Sequence, residues 1–208
     1  MKHIKKITFI LIISILVFSC TSNETKIYIS EIEQLRSEKN LNYSDSLKSP
    51  LNPIHLAEFS DLEYFEVNPD FKIEGILELT PDEKPFEMAT STKRLPVYRK
   101  YGNLHFKIKG DDFVLGVFQN MEFINDSVRG NSLFVPFQDL TSSKESYGGG
   151  RYIDIQIPET EKVIIDFNLA YNPYCAYFDR WSCVIPPPEN FLKVKILAGE
   201  KKFHLAEH

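Results

Sequence analysis

Gly102–Phe118 reads GNLHFKIKGDDFVLGVF, and its periodicity decides the fold class. Leu104, Phe106 and Ile108 alternate with His105 and Lys107 between two glycines, the spacing of a strand with one face in a core. Phe113 to Phe118 is nearly continuous in β-favouring apolar residues, which predicts a strand buried on both faces. The same period of two recurs on either side. Upstream, Phe71-Lys72-Ile73-Glu74 alternates and resumes as Ile76-Leu77-Glu78-Leu79 after Gly75, where the one-residue slip predicts a bulge. Pro81-Asp82 marks a turn, Phe86, Met88 and Thr90 alternate again, and Val97–Tyr101 is short. Downstream come Leu133–Phe137, Tyr152–Ile157, Lys162–Phe167 and a closing strand Leu192–Leu197 that carries Val194 and Ile196. About nine short strands separated by turn signals suit a sandwich or a barrel. Helical patterns of ten residues are almost missing between them, which argues against a parallel βαβ sheet. The expected fold is mainly β: a single antiparallel β-sandwich or barrel-like domain with an N-terminal helical arm.

That arm covers residues 27–60, ahead of a β-rich domain over 61–208. Ile27 to Lys39 spaces Ile29, Ile32 and Leu35 for one face of a helix, with charged residues between. Pro50 ends any helix there. Asn52 and Pro53 supply an N-cap and a first helical residue for a short second helix, with Leu56 and Phe59 on one side. Residues 1–19 read as a secretory signal: Lys2, Lys5 and Lys6, an apolar run from Ile7 to Phe18, then Ser19. The run is short for a spanning helix. Val17-Phe18-Ser19-Cys20 resembles a bacterial lipobox, with Phe18 bulkier than usual, which makes Cys20 the lipidated residue and 20–26 a tether. The expectation is a cell-envelope protein anchored by lipid and facing the periplasm or the surface.

The 208 residues carry a net charge of −5, with 24 Lys and Arg scattered along the chain. No basic patch forms, so nucleic acid is not an expected partner.

Asp139–Asn190 concentrates the residues that are costly to place without a reason. Tyr147-Gly148-Gly149-Gly150-Arg151-Tyr152 reads either as a tight entry into a strand or as a nest of N–H groups for an anion, with Arg151 adding donors. Asp166, at the end of an apolar strand, needs a partner, and Arg151 is the obvious one. Asp166 could also act as a general base. Asn168 and Asn172 suit irregular backbone. Cys175 and Cys183 are bridged, line a pocket, or act as small buried hydrophobes; no CxxC spacing or nearby His supports a metal. Pro186-Pro187-Pro188-Glu189-Asn190 is a stiff return to the last strand that offers Glu189 to a site. Gly-x-Ser-x-Gly is absent, and Asp139, Glu145, Asp154, Asp166 and Glu189 are the carboxylates available for a pair.

Together, Phe134-Val135-Pro136-Phe137-Gln138-Asp139-Leu140-Thr141, Tyr147–Tyr152, Asp166-Phe167-Asn168, Ala170-Tyr171-Asn172-Pro173, Cys175-Ala176-Tyr177, Cys183, Pro187-Pro188-Glu189-Asn190 and Ala198-Gly199-Glu200 closely resemble a bacterial family catalogued as domain of unknown function 1684. Ser49-Pro50-Leu51, Tyr64-Phe65 and Asn68-Pro69 extend the likeness upstream. Val184 departs from it, since the family tends to carry proline after that cysteine. The resemblance implies motif positions and no activity. It also implies relatives without an export signal, in which a disulfide would not persist; that favours pocket thiols at Cys175 and Cys183.

Two functional expectations follow. The first is a site for a small anionic ligand, binding or hydrolytic, built from Asp139, Tyr147, Gly148, Gly149, Gly150, Arg151, Tyr152, Asp166, Asn168, Asn172 and Tyr177, with Asp166, Arg151 and Glu189 as catalytic candidates. The second is a non-catalytic envelope protein that binds a protein or glycan, with the dense stretch as its scaffold.

Overall fold

A computed structural model describes the backbone of residues 2–205 and the side chains of residues 23–205. The signal and the lipidation of Cys20 expected over residues 1–20 lie outside the described side chains.

The chain begins with helix α1 (Lys2–Ser44) and a short α2 (Pro53–Glu58). Eight strands follow among the described residues: β1 (Lys72–Leu79), β2 (Phe86–Glu87), β3 (Val97–Ile108), β4 (Asp111–Asn120), β5 (Ser132–Asp139), β6 (Arg151–Gln156), β7 (Lys162–Asp166) and β8 (Phe191–Leu192). They form one sheet in the order β6-β5-β4-β3-β1-β7, with β2 added on β3 and β8 running parallel to β5. The other pairings are antiparallel. β6 and β7 are consecutive in the chain yet lie at opposite ends of this order. The sheet curls until they approach, and Ile153, Ile155, Val163 and Ile164 line a small cavity between them. The fold is therefore mainly antiparallel β and barrel-like, with an N-terminal helix.

Leu104, Phe106 and Ile108 of β3 point inward, where they meet Leu77, Leu115, Val117, Leu133, Val135, Phe137, Ile153 and Ile165. β3 is one strand where the sequence suggests two, because its register shifts between Lys100 and Gly102. That bulge switches faces: Tyr98 packs on the outside of the sheet with Phe118 and Tyr152, whereas Leu104 packs inside. A slip of one residue does this, since side chains alternate with period two.

Several expectations need correction. Gly75 is not a bulge. The β1–β7 register runs unbroken from Lys72↔Asp166 to Ile76↔Lys162, and Gly75 occupies an ordinary inward position. A side chain has no room there, because a Cβ would lie 2.8 Å from the His105 carbonyl oxygen. β4 is buried on both faces only from Leu115 to Gln119; Val114 is exposed near the β3–β4 turn. The closing strand shrinks to Phe191–Leu192. Ile196 is still fully buried, because its N–H donates to Asp139 and its carbonyl accepts from Arg151, so side chains replace a strand ladder. On α1, Leu35 is half exposed, and Ile32, Arg36 and Tyr43 face the domain instead.

Asn190 shows how the motif repairs the sheet. β4 and β5 register at Phe118↔Phe134. Nearby, Pro136 carries no N–H to donate. The buried Asn190 carboxamide fills this gap: its Oδ1 accepts from Gly116 N, and its Nδ2 donates to the carbonyls of Gly116 and Pro136.

Candidate functional site: an aromatic groove on the outer face

Alternation along β6 separates two neighbours that the sequence presents together. Arg151 shares the inward face with Ile153 and is buried, whereas Tyr152 and Asp154 point outward. Both Nη atoms of the Arg151 guanidinium are occupied by protein, and its buried Nε has no hydrogen-bond partner. Nη1 donates to the carbonyls of Ala198 and Glu200; Nη2 donates to the Ile196 carbonyl at 2.9 Å and to Asp139 Oδ1 at 3.3 Å. Asp139 also accepts from the Thr141 hydroxyl and from Ile196 N. Burial pushes the guanidinium pKa down, opposed by the Asp139 carboxylate. Arg151 is thus paired with Asp139 and not with Asp166, and its fork ties β6 to the end of β5 and to the Ile196–Glu200 segment.

The remaining motif residues divide in the same way. Asp166 accepts from the Tyr28 hydroxyl at 2.7 Å and caps the turn at Asn168 N. Asn168 donates to Tyr28 Oη and to the Asn68 carbonyl and accepts from Asn68 N. Buried Glu200 accepts from Tyr177 Oη at 2.6 Å, Asn172 N at 2.7 Å and the Lys39 ammonium of α1. Tyr177 and Asn172 therefore line no open space; with Asp166, Asn168 and Glu200 they form sockets that hold α1 against the domain. Glu200 was missed as a member of this cluster, although Ala198-Gly199-Glu200 belongs to the motif. The glycines make a turn in which Gly150 N donates to the Tyr147 carbonyl. Gly150 sits at φ 91°, and a Cβ there would lie 2.6 Å from the Phe137 carbonyl oxygen, so backbone approach explains it. Gly148 packs on Ser143, and Gly149 on the Tyr147 ring. Glu189 is exposed on the turn before β8, apart from the others.

Open space lies on the other face. A groove of about 980 Å³ runs between α1, the outer face of β3, β5 and β6, and the loop from Tyr171 to Val184. Its floor is a run of rings: Tyr98 to Phe134 at 5.6 Å between centroids, Phe134 to Tyr152 at 4.7 Å, and Tyr152 to Tyr171 at 5.7 Å. Tyr174 and Trp181, 5.3 Å apart, line the loop side. Arg94, Arg129, Lys39 and Lys48 supply positive charge against Glu38 and Asp154. Asp154 Oδ2 accepts from Tyr171 Oη at 2.6 Å. Although its side chain reaches solvent, the surrounding walls push its carboxyl pKa up, and the Tyr171 hydrogen bond opposes the shift. Of the expected site residues, Tyr152 and Cys183 line this groove. Its other rings and cations were missed because they come from five separate segments, and no local spacing links them.

Cys175 and Cys183 are free thiols held together. Cys175 N donates to Cys183 Sγ at 3.1 Å, and Tyr147 Oη lies 3.7 Å from Cys175 Sγ. Among the described residues, no group of three His, Cys, Asp or Glu is placed to hold a metal ion.

The family model described as protein of unknown function (DUF1684) matches residues 57–201. The chain belongs to this family. The match takes in the Arg151–Asp139 pair, the sockets and most of the groove, while α1 lies before it. The chain is similar to the solution NMR structure of an uncharacterized protein from gene locus rrnAC0354 of Haloarcula marismortui. Identity is 32%, over 89% of this chain and 99% of that chain, with a TM-score of 0.67. No curated protein matches the chain.

Proposed function

We propose that the groove binds a small molecule with an anionic group and a flat or apolar body, on an exported protein anchored through lipid on Cys20. The observation that carries the binding reading is the run of four rings floored into a cavity of about 980 Å³ with four cationic side chains at its walls. Ligand cavities are of this size, mostly apolar and aromatic, with a few polar groups that fix orientation. Arg94 is the best anion partner. Its Nε and Nη2 donate to Ser182, its side chain is exposed, and it faces the groove beside Cys183. Lys39, Lys48 and Arg129 add charge, although Glu200, Asp45 and Asp126 accompany them. The export reading rests on Lys2, Lys5, Lys6, the apolar Ile7–Phe18 run and the lipobox-like residues up to Cys20. It places the groove in the cell envelope, facing the periplasm or the surface.

Binding is better supported than hydrolysis. Among the described residues no His lines the groove, and Ser182 Oγ is engaged by Thr90, Thr92 and Arg94. A glycan partner is the second reading, favoured by Asp154, a carboxylate that lines the groove beside an aromatic floor suited to a sugar ring.

Titration with anilinonaphthalenesulfonate, an anionic aromatic dye, separates these readings. The expected result is saturable one-to-one binding that quenches Trp181, weakens as salt rises, and loses roughly tenfold in affinity in Arg94→Glu, about the size of one lost charge-assisted contact. Equal affinity in Arg94→Glu, or binding indifferent to salt, would remove the anion reading and leave the glycan one.

A further inference from the structure

We propose that Cys175 and Cys183 form a redox site at the groove wall, which reduces a disulfide substrate by closing to an intramolecular disulfide. The site stands apart from the ligand reading and needs no ligand in the groove.

The loop is built to hold the two sulfurs together. Cys175 opens onto the 3₁₀ turn Tyr174–Ala176, and Cys183 is pinned on both backbone sides by Ser91: Cys183 N donates to Ser91 Oγ, and Ser91 N donates to the Cys183 carbonyl. Trp181, between the cysteines, is anchored by Nε1 donating to the Pro50 carbonyl at 2.9 Å. The turn and the anchors bring Cys183 Sγ to 3.1 Å from Cys175 N, so the loop that a bridge would close is already closed.

Charge favours a thiolate here. The hydrogen bond from Cys183 lowers the Cys175 thiol to about 7, helped by Tyr147 and Ser91 and opposed by burial. The same interaction and burial raise Cys183 far above its ordinary range. Two such groups titrate as a pair: one proton leaves readily and the second does not. Cys175 is buried, whereas Cys183 lines the groove beside Arg94. The charge rests on Cys175, and Cys183 is the sulfur an incoming molecule reaches; Cys175 Sγ, joined to it by the hydrogen bond, takes the Cys183 proton as Cys183 attacks.

The chemistry balances as thiol–disulfide exchange. Cys183 Sγ, its proton passed to Cys175, attacks one sulfur of a substrate disulfide. A protein–substrate S–S bond forms, the substrate S–S bond breaks, and the leaving thiolate takes up a proton. Cys175 then loses its proton and attacks Cys183 Sγ. The mixed disulfide breaks, the Cys175–Cys183 bond forms, and the second substrate thiolate leaves and is protonated. Two protein thiols are oxidised and one substrate disulfide is reduced to two thiols.

The test uses the reduced full-length protein in detergent, incubated with oxidised glutathione, quenched with acid, alkylated and mapped by peptide mass. Cys20 is thereby read separately, and cleavage after Arg180 separates Cys175 from Cys183. The expected product is a linked Cys175–Cys183 peptide pair lacking two hydrogens, with no glutathione retained on either residue. Cys175→Ser should trap one glutathione on Cys183, because the resolving sulfur is gone. Two alkylatable thiols after prolonged exposure, or a stable glutathione adduct on Cys183 of the unaltered protein, would overturn the proposal. The measurement on the unaltered protein decides the matter even if Cys175→Ser fails to fold.

Discussion

Asp154 and Arg151 are three positions apart in sequence and differ in everything that burial sets. Arg151 is buried with its charge met by Asp139, so it is part of what ties β5 and β6 to the Ile196–Glu200 segment. Asp154 lies outside, at the groove floor, with one hydrogen bond from Tyr171 and a raised carboxyl pKa. The raised pKa has a consequence for stability. Between the unfolded aspartate range near pH 3.9 and the higher folded value, the native state binds more protons than the unfolded state, so stability falls as pH rises through that window. Asp154→Asn should flatten this part of the profile, as read by urea unfolding at a series of acid pH values. An unchanged slope would mean that the groove walls do not desolvate this carboxylate. The cavity would then be too open to exclude water from a ligand.

At the scale of elements, the motif residues mostly mend or fasten. The Asn190 carboxamide stands in for ladder hydrogen bonds where Pro136 interrupts β5. Removing it in Asn190→Ala leaves Gly116 N and two carbonyls buried without partners. Each such group costs about 1–3 kcal/mol, so the three together predict a loss of at least about 3 kcal/mol in the unfolding free energy read from urea titration. A loss below ~1 kcal/mol would show that water replaces the amide and that the β4–β5 junction is wet. Tyr28, Lys39 and Tyr43 fasten α1 through Asp166, Asn168, Glu200 and Tyr177 in a similar way. The sequence marked most of these polar positions. It could not tell a ligand site from a fastening, because both need polar side chains at fixed places and the difference lies in what those chains meet. The strands were more legible. Alternation gave Leu104, Phe106 and Ile108 their inward face directly. The same alternation misled at Gly75, where a glycine fills a core position because His105 leaves no room for a Cβ. At Leu192–Leu197, apolar spacing suggested a longer strand than Phe191–Leu192, because burial there comes from irregular backbone held by Asp139 and Arg151.

Across the whole molecule, the curled sheet has two different ends of use. Its interior and its motif-lined rim are filled by side chains that bond one another, with Arg151 Nε and Asn172 Oδ1 left buried without a hydrogen-bond partner. Its outer face, between α1 and the Tyr171–Val184 loop, carries aromatic floor, positive charge and a thiol with space beside them. The groove was invisible in the sequence because Arg94, Tyr98, Phe134, Asp154 and Trp181 are brought together only by the bulge in β3, the outward positions of β5 and β6, and the loop return. The division between scaffold and groove is tested by Arg151→Met, with urea unfolding and anilinonaphthalenesulfonate titration measured on one preparation. Removing one partner of a buried ion pair costs about 3–5 kcal/mol. The expected result is a loss of that size with dye affinity unchanged while the protein is folded. Lost dye binding with an unchanged unfolding midpoint would contradict it, and would return Arg151 to the ligand site.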